Sequence, residues 1–125
     1  MSQLVISDDA KEKDLSPLAL AINEVVKLPI TLRSLNAPGI RVENGKIMDT
    51  NYSGPVLEEV LRTGNPVKAV PSSGAYKGIP VSVAPIKVEG KTIAALGIVD
   101  IAGTIDIPDV FGAYVDVMRQ VSKER

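Results

Sequence analysis

The chain has 125 residues, 45% of them apolar, and 14 basic against 15 acidic side chains for a net charge of −1. That is enough for one hydrophobic core and a solvated surface. Cysteine, histidine and tryptophan are absent, which excludes disulfides, thiolate or imidazole metal centres, histidine-ligated haem, a Ser-His-Asp triad and a histidine general base. The basic residues are scattered, unlike the stripe with which a nucleic-acid binder neutralises phosphates. The longest near-apolar run, 93–101, falls far short of the ~20 residues of a spanning helix. The opening "MSQLVISDDAKEKD" lacks a basic region followed by a long apolar one, so no signal peptide or membrane segment is expected and the protein reads as cytoplasmic.

Residues 1–14 read as a polar tail, loose or partly docked, and 15–125 as a single domain. "SPLALAINEVVKL" predicts a helix with Ser16 as N-cap, Pro17 in the first turn and an apolar stripe of Leu18, Ile22, Val25 and Val26. Pro29 ends it. "ITLRS", 30–34, fits either a strand or a further helical turn. "PGIRVENGKIMDTN" is a hairpin signal, because Asn44-Gly45 tolerates the positive φ angles of a tight primed turn. "SGPVLEEVLRTG" predicts a short helix with Ser53 as cap and Gly64 just past its end. "NPVKAV" is bounded by prolines and reads as a short edge strand. Residues 79–88 and 91–101 form a second hairpin around Glu89-Gly90, and 107–123 carry a helical stripe of Val110, Tyr114, Val117 and Val121.

The stretch "EGKTIAALGIVDI", 89–101, is apolar at odd and at even positions up to Asp100. A strand wetted on one side would alternate, so both faces of this one must be covered. Hairpin-joined strands with helices around them predict an α+β fold with an antiparallel sheet, helices on both faces and this strand near the centre.

The segment "VLEEVLRTGNPV…KGIPVSVAPIKVEGKTIAALGIVDI", 56–101, resembles the second half of PAS and GAF sensory domains. The resemblance rests on a helix ending in a Thr-Gly-x-Pro step, the Pro85-Ile86 pair, and the run from Glu89-Gly90-Lys91 to Gly97-Ile98-Val99-Asp100-Ile101. The whole chain, through "LPITLRS", "PGIRVENGK" and "GAYKGIPVSVAPI", also resembles a small uncharacterised domain family of methanogenic archaea. The first resemblance implies a PAS/GAF-like (profilin-like) sheet of five or six strands, a ligand pocket between sheet and helices, and dimerisation through terminal helices. The chain departs from the PAS ending Asp-Ile-Thr with Asp100-Ile101-Ala102. Signal output would then run through a partner protein or a dimer rearrangement.

Six side chains are candidates for ligand binding. Arg41 alternates with Ile40 and Val42 and belongs on the opposite sheet face. Under helices its guanidinium needs an anionic ligand; solvation at an edge, or pairing with Glu43, is the simpler alternative. Arg33, between Leu32 and Ser34, follows the same argument. Tyr76 and Lys77 lie in the loop 71–78, where Gly74 and Gly78 suit a lid or an ordinary surface loop. That loop lacks the spacing of a phosphate-binding P-loop. Tyr52 either presents its hydroxyl at a pocket rim or is a half-buried tyrosine. Asp100 either meets a ligand donor or an arginine such as Arg41, or accepts backbone N–H groups at the strand end. Glu58-Glu59 and Asp8-Asp9 read as solvated, so no metal site is expected.

These readings predict a small-molecule-binding sensory or regulatory domain without catalytic activity or a cofactor, acting as a homodimer or through a protein partner. The ligand would lie between the sheet and helix 54–63 with loop 71–78 over it. Three Tyr and one Phe are too few for a stacking cage, which argues against flavin and haem. The alternative is a ligand-free structural or assembly subunit docking through its terminal helices.

Overall fold

A computed structural model describes residues 2–101. In chain order the elements are α1 (Glu12–Val26), β1 (Ile30–Ser34), β2 (Gly39–Glu43), β3 (Lys46–Tyr52), α2 (Pro55–Thr63), β4 (Val67–Ala69), β5 (Val81–Val88) and β6 (Lys91–Val99). The strands form one six-stranded sheet in the order β3-β2-β1-β6-β5-β4, antiparallel at every step. Among the described residues the fold is α+β with one helix on each face of the sheet. The helix expected over 107–123 lies outside the described residues.

Both predicted hairpins close on paired positive φ angles, 52° and 77° at Asn44-Gly45 and 52° and 79° at Glu89-Gly90, the primed geometry that follows the twist of the strands. The ambiguous "ITLRS" is a strand, and a central one. Pro29 stops the helix, and Ile30 then pairs with Val42 on one side and Ile98 on the other.

Alternation along these strands separates two cores. On one face Ile30, Leu32, Ile40 and Val42 pack with Leu15 and Ala19 of α1, all fully withdrawn from solvent, and Leu96 and Ile98 extend the cluster along β6. On the other face Val81, Val83, Ala95 and Val99 pack with Val56, Leu57, Val60 and Leu61 of α2. Strand β6 therefore contributes to both cores, which is why it shows no polar side. Helix α1 lies over β1, β2 and β3, and α2 over β4, β5 and β6.

The close fit at the sheet centre depends on Gly97. Its partner across β1 is Thr31, and a Cβ added at Gly97 would stand 2.4 Å from the Thr31 hydroxyl oxygen and 3.1 Å from a Val83 methyl. Any side chain here would push the α2 face apart.

Helix α1 departs from the sequence reading in its start and in its buried stripe. It begins after Lys11, whose backbone N–H donates to the Asp14 carboxylate (3.1 Å), and not at Ser16. Pro17 thus sits inside the helix, and the Ser16 hydroxyl turns back to the Glu12 carbonyl at 2.6 Å. The segment before it is docked: the Ser34 hydroxyl donates to the Ala10 carbonyl (2.7 Å), and the Asn36 N–H to that of Asp8 (2.8 Å). At the other end Asn23 fixes the rotation of the helix. Its amide donates to the Leu28 carbonyl (2.8 Å), and its oxygen accepts from the Gly45 N–H (2.8 Å). The buried stripe runs through Leu15, Ala19 and Asn23, leaving Val25 81% exposed.

Candidate functional site

The period of two that buries Ile40 and Val42 under α1 sends Arg41 and Glu43 to the α2 face. There Arg41 is flanked by Thr31 on β1 and by Asp49 on β3. The Arg41 Nη1 donates to Glu43 Oε2 at 2.7 Å, and the Tyr76 hydroxyl donates to the same oxygen at 2.6 Å. The Arg41 guanidinium carbon stands 5.7 Å from the centre of the Tyr76 ring, a cation–π arrangement. Tyr52, the last residue of β3, meets Tyr76 edge to face with centroids 6.4 Å apart. A loop side chain, two strand side chains and a strand-end tyrosine thus form one cluster.

Its protonation follows from burial. Tyr76 is only 6% exposed. Loss of water, then its bond to the Glu43 carboxylate, raises its pKa far above the ordinary phenol value, with Arg41 opposing. Burial likewise raises Tyr52, partly offset by Arg41. Burial works against the charge of Arg41, but its contacts with Tyr76 and Glu43 outweigh this, and its pKa is raised. One donor is left over: Arg41 Nε is buried with no hydrogen-bond partner among the described residues. A buried N–H without an acceptor is costly and uncommon.

Next to this cluster, between the sheet and α2, lies a small hollow of ≈ 20 Å³, room for about one water. Thr31, Tyr52, Tyr76, Val81 and Val99 line it together with the first residues of α2, Gly54 to Leu57. No side chain caps α2, whose N-cap is Gly54 and not Ser53. The Tyr52 hydroxyl explains the glycine, since a Cβ at Gly54 would lie 2.9 Å from it.

Ser53 serves Arg33 instead. Arg33 Nη1 donates to the Ser53 hydroxyl (2.7 Å) and to the Glu58 carboxylate, and its Nε donates to the Ala37 carbonyl (3.1 Å). The Ser53 hydroxyl also donates to Glu58 Oε1 at 2.7 Å. That bond most of all holds Glu58 below the ordinary carboxylate range; burial opposes it, and Arg33 adds to the lowering. This clamp ties β1 to the first turn of α2.

Of the six sequence candidates, the structure brings Arg41, Tyr52 and Tyr76 together, with Arg33 beside them in its own clamp. Lys77 is exposed and takes no place in the cluster. Asp100 is buried just past β6, its N–H donating to the Pro80 carbonyl at 2.9 Å. The ion pair of Arg41 is with Glu43. Glu43 and Thr31 were not among the candidates, although both sit two-residue steps from one that was, and that spacing places them on its face. Glu58 was read as solvated; it is exposed, yet engaged. Among the described residues no group of His, Cys, Asp and Glu side chains could hold a metal ion, and no helix is long and apolar enough to cross a membrane.

Residues 22–102 match a family described as uncharacterized protein conserved in archaea (DUF2111). The uncharacterized protein MJ0405 of Methanocaldococcus jannaschii is 45% identical over 103 residues, which cover 82% of this chain and 79% of that protein. No solved structure matches. The chain belongs to this archaeal family.

Proposed function

We propose that this member of the archaeal family is a small-molecule-binding sensory or regulatory domain of PAS/GAF type, with its ligand seat on the α2 face beside Arg41, Tyr52 and Tyr76. The observation that carries the reading is the unpartnered, buried Nε of Arg41 in a cluster whose Tyr52 and Tyr76 line a hollow under loop 71–78. An unmet buried donor is uncommon in a core built only for stability, and the hollow already has about one water's volume of free space. A ligand oxygen or ring nitrogen would satisfy the first, and movement of the loop would enlarge the second. The site does no bond-breaking in this reading. The Tyr76 hydroxyl keeps its proton far above neutral pH, and Glu43 already accepts two hydrogen bonds. The domain acts in the cytoplasm as a homodimer or through a protein partner.

Thermal denaturation of the full chain against a metabolite library tests this. At least one compound should raise the midpoint of wild type and lose that effect with Arg41→Met. Stabilisation by none, or equal stabilisation of Arg41→Met, would contradict it.

One observation favours a second reading, a subunit that docks on a larger assembly. On the sheet face opposite α2, a shallow apolar groove of ≈ 370 Å³ runs past Pro66, Ser82, Ala84, Leu96 and Ile98, where α1 does not reach. Ala84→Glu on this groove should abolish complex formation in size-exclusion chromatography if this reading holds, and leave ligand stabilisation intact if the first does.

A further inference from the structure

Loop 71–78 is fastened to the sheet in an uneven way. Its backbone bonds close on themselves: the Gly78 N–H donates to the Pro71 carbonyl (2.9 Å), and the Lys77 N–H to that of Gly74 (3.3 Å). Residues 72–75, 77 and 78 are exposed, while Tyr76 is buried. Gly74 and Gly78, at φ 88° and 79°, bracket it with left-handed backbone that glycine adopts without strain. The loop thus inserts one long side chain between two glycines. That side chain meets three recognition elements: the Tyr52 ring edge to face, the Arg41 guanidinium over its ring, and Glu43 Oε2 at its hydroxyl.

Resting on the binding reading above, we infer that Tyr76 is a built-in occupant of the ligand seat, and that the ligand class is a neutral flat ring bearing a hydroxyl, which displaces Tyr76 and takes over its contacts. The chemistry of the seat selects this class. Arg41 and Glu43 neutralise each other and Asp49 flanks the pair, so the seat offers no net positive charge to an anion. A ligand carboxylate or phenolate would face the Glu43 carboxylate, whereas a neutral hydroxyl donates to it as Tyr76 does. The guanidinium and the Tyr52 edge both suit the face of an aromatic ring. A ring carrying an additional acceptor would also reach what Tyr76 does not satisfy, Arg41 Nε.

The test removes the occupant and supplies its side chain in solution. Tyr76→Ala deletes a phenol, so phenol should bind this variant with a millimolar or tighter Kd, measured by calorimetry or by its effect on the thermal midpoint. Benzene should bind at least ~10-fold more weakly, because it cannot donate the second hydrogen bond that Glu43 Oε2 accepts from Tyr76. Wild type, with its seat filled, should bind phenol at least ~10-fold more weakly than the variant does. Equal affinity for phenol and benzene, or no phenol binding by a folded variant, overturns the inference. Should Tyr76→Ala not fold, Tyr76→Phe keeps the ring and removes only the hydroxyl. Its folding equilibrium constant should fall by about 5- to 10-fold relative to wild type; an unchanged or larger constant shows that Glu43 does not read the hydroxyl. A wild-type ligand with no hydroxylated ring, lost with Arg41→Met, would overturn this inference and leave the binding reading standing.

Discussion

On the α1 face of the sheet, Ile30, Leu32, Ile40 and Val42 are wholly buried and carry no side-chain hydrogen-bonding group. One residue along the same strands, on the α2 face, the places are taken by Thr31, Arg33, Arg41 and Glu43. Helix α1 lies over the first of these faces, whereas α2 lies over β4, β5 and β6, so that the Arg41 and Glu43 side chains keep 23% and 28% of their surface exposed. An aliphatic face does one thing, which is to exclude water and hold its neighbours at close-packed density. The other face forgoes part of that stabilisation to hold an ion pair, two tyrosines and a hollow. Polar groups under cover need partners, and among the fully buried side-chain nitrogens and oxygens of the described residues Arg41 Nε alone lacks one. The contrast separates an aliphatic face from one that combines an apolar core under α2 with polar side chains beside it.

Substitutions should reproduce that division. Leu32→Ala, in the α1 core, should cost about 2–5 kcal/mol in urea unfolding, the range for emptying a tightly packed site. A smaller loss than from any α2-face polar change would erase the distinction. Gly97→Ala should cost about 1–3 kcal/mol, since its methyl would collide with the Thr31 hydroxyl. In a Thr31→Ala background the same change should cost less, and an unaltered cost would place the strain elsewhere. Arg41→Met should change stability by about 1 kcal/mol, because losing the ion pair is partly offset by removing an unmet donor.

The smallest effect belongs to Glu58, the exposed member of its ion pair. Its pKa is lower in the folded chain than its ordinary 4.5, so it stabilises the fold above that value, and the contribution disappears as pH falls through the folded pKa. Glu58→Gln should therefore lower the unfolding midpoint slightly at pH 7, by the equivalent of roughly 0.2–1 kcal/mol. The gap between variant and wild type should close as the pH falls below the folded pKa of Glu58. A gap that persists in acid would assign the effect to packing instead of charge.

The sheet was legible because its signals are local. Asn44-Gly45 and Glu89-Gly90 announce their turns, alternation assigns Ile40 and Val42 to one face, and the unbroken apolar run of β6 demands cover on both. Helix α1 was misplaced because Ser16-Pro17 is a good start signal in isolation, while Asn23 and the docking of Ala10 against Ser34, tertiary contacts, decide the outcome. The site was half legible. Arg41 and Tyr76 stand out by type, yet their meeting at Glu43 joins residues 33 positions apart, a contact no local pattern encodes. Lys77 stands apart from the cluster because adjacency in a loop says nothing of direction: Tyr76 is buried and Lys77 exposed.

Native mass spectrometry of the full chain purified from archaeal cells tests the central claim, that the α2 face is a ligand seat, most directly. The account predicts a retained small molecule in wild type that Arg41→Met purified in the same way does not carry. A bare mass in wild type, or an equal load in both, would contradict it.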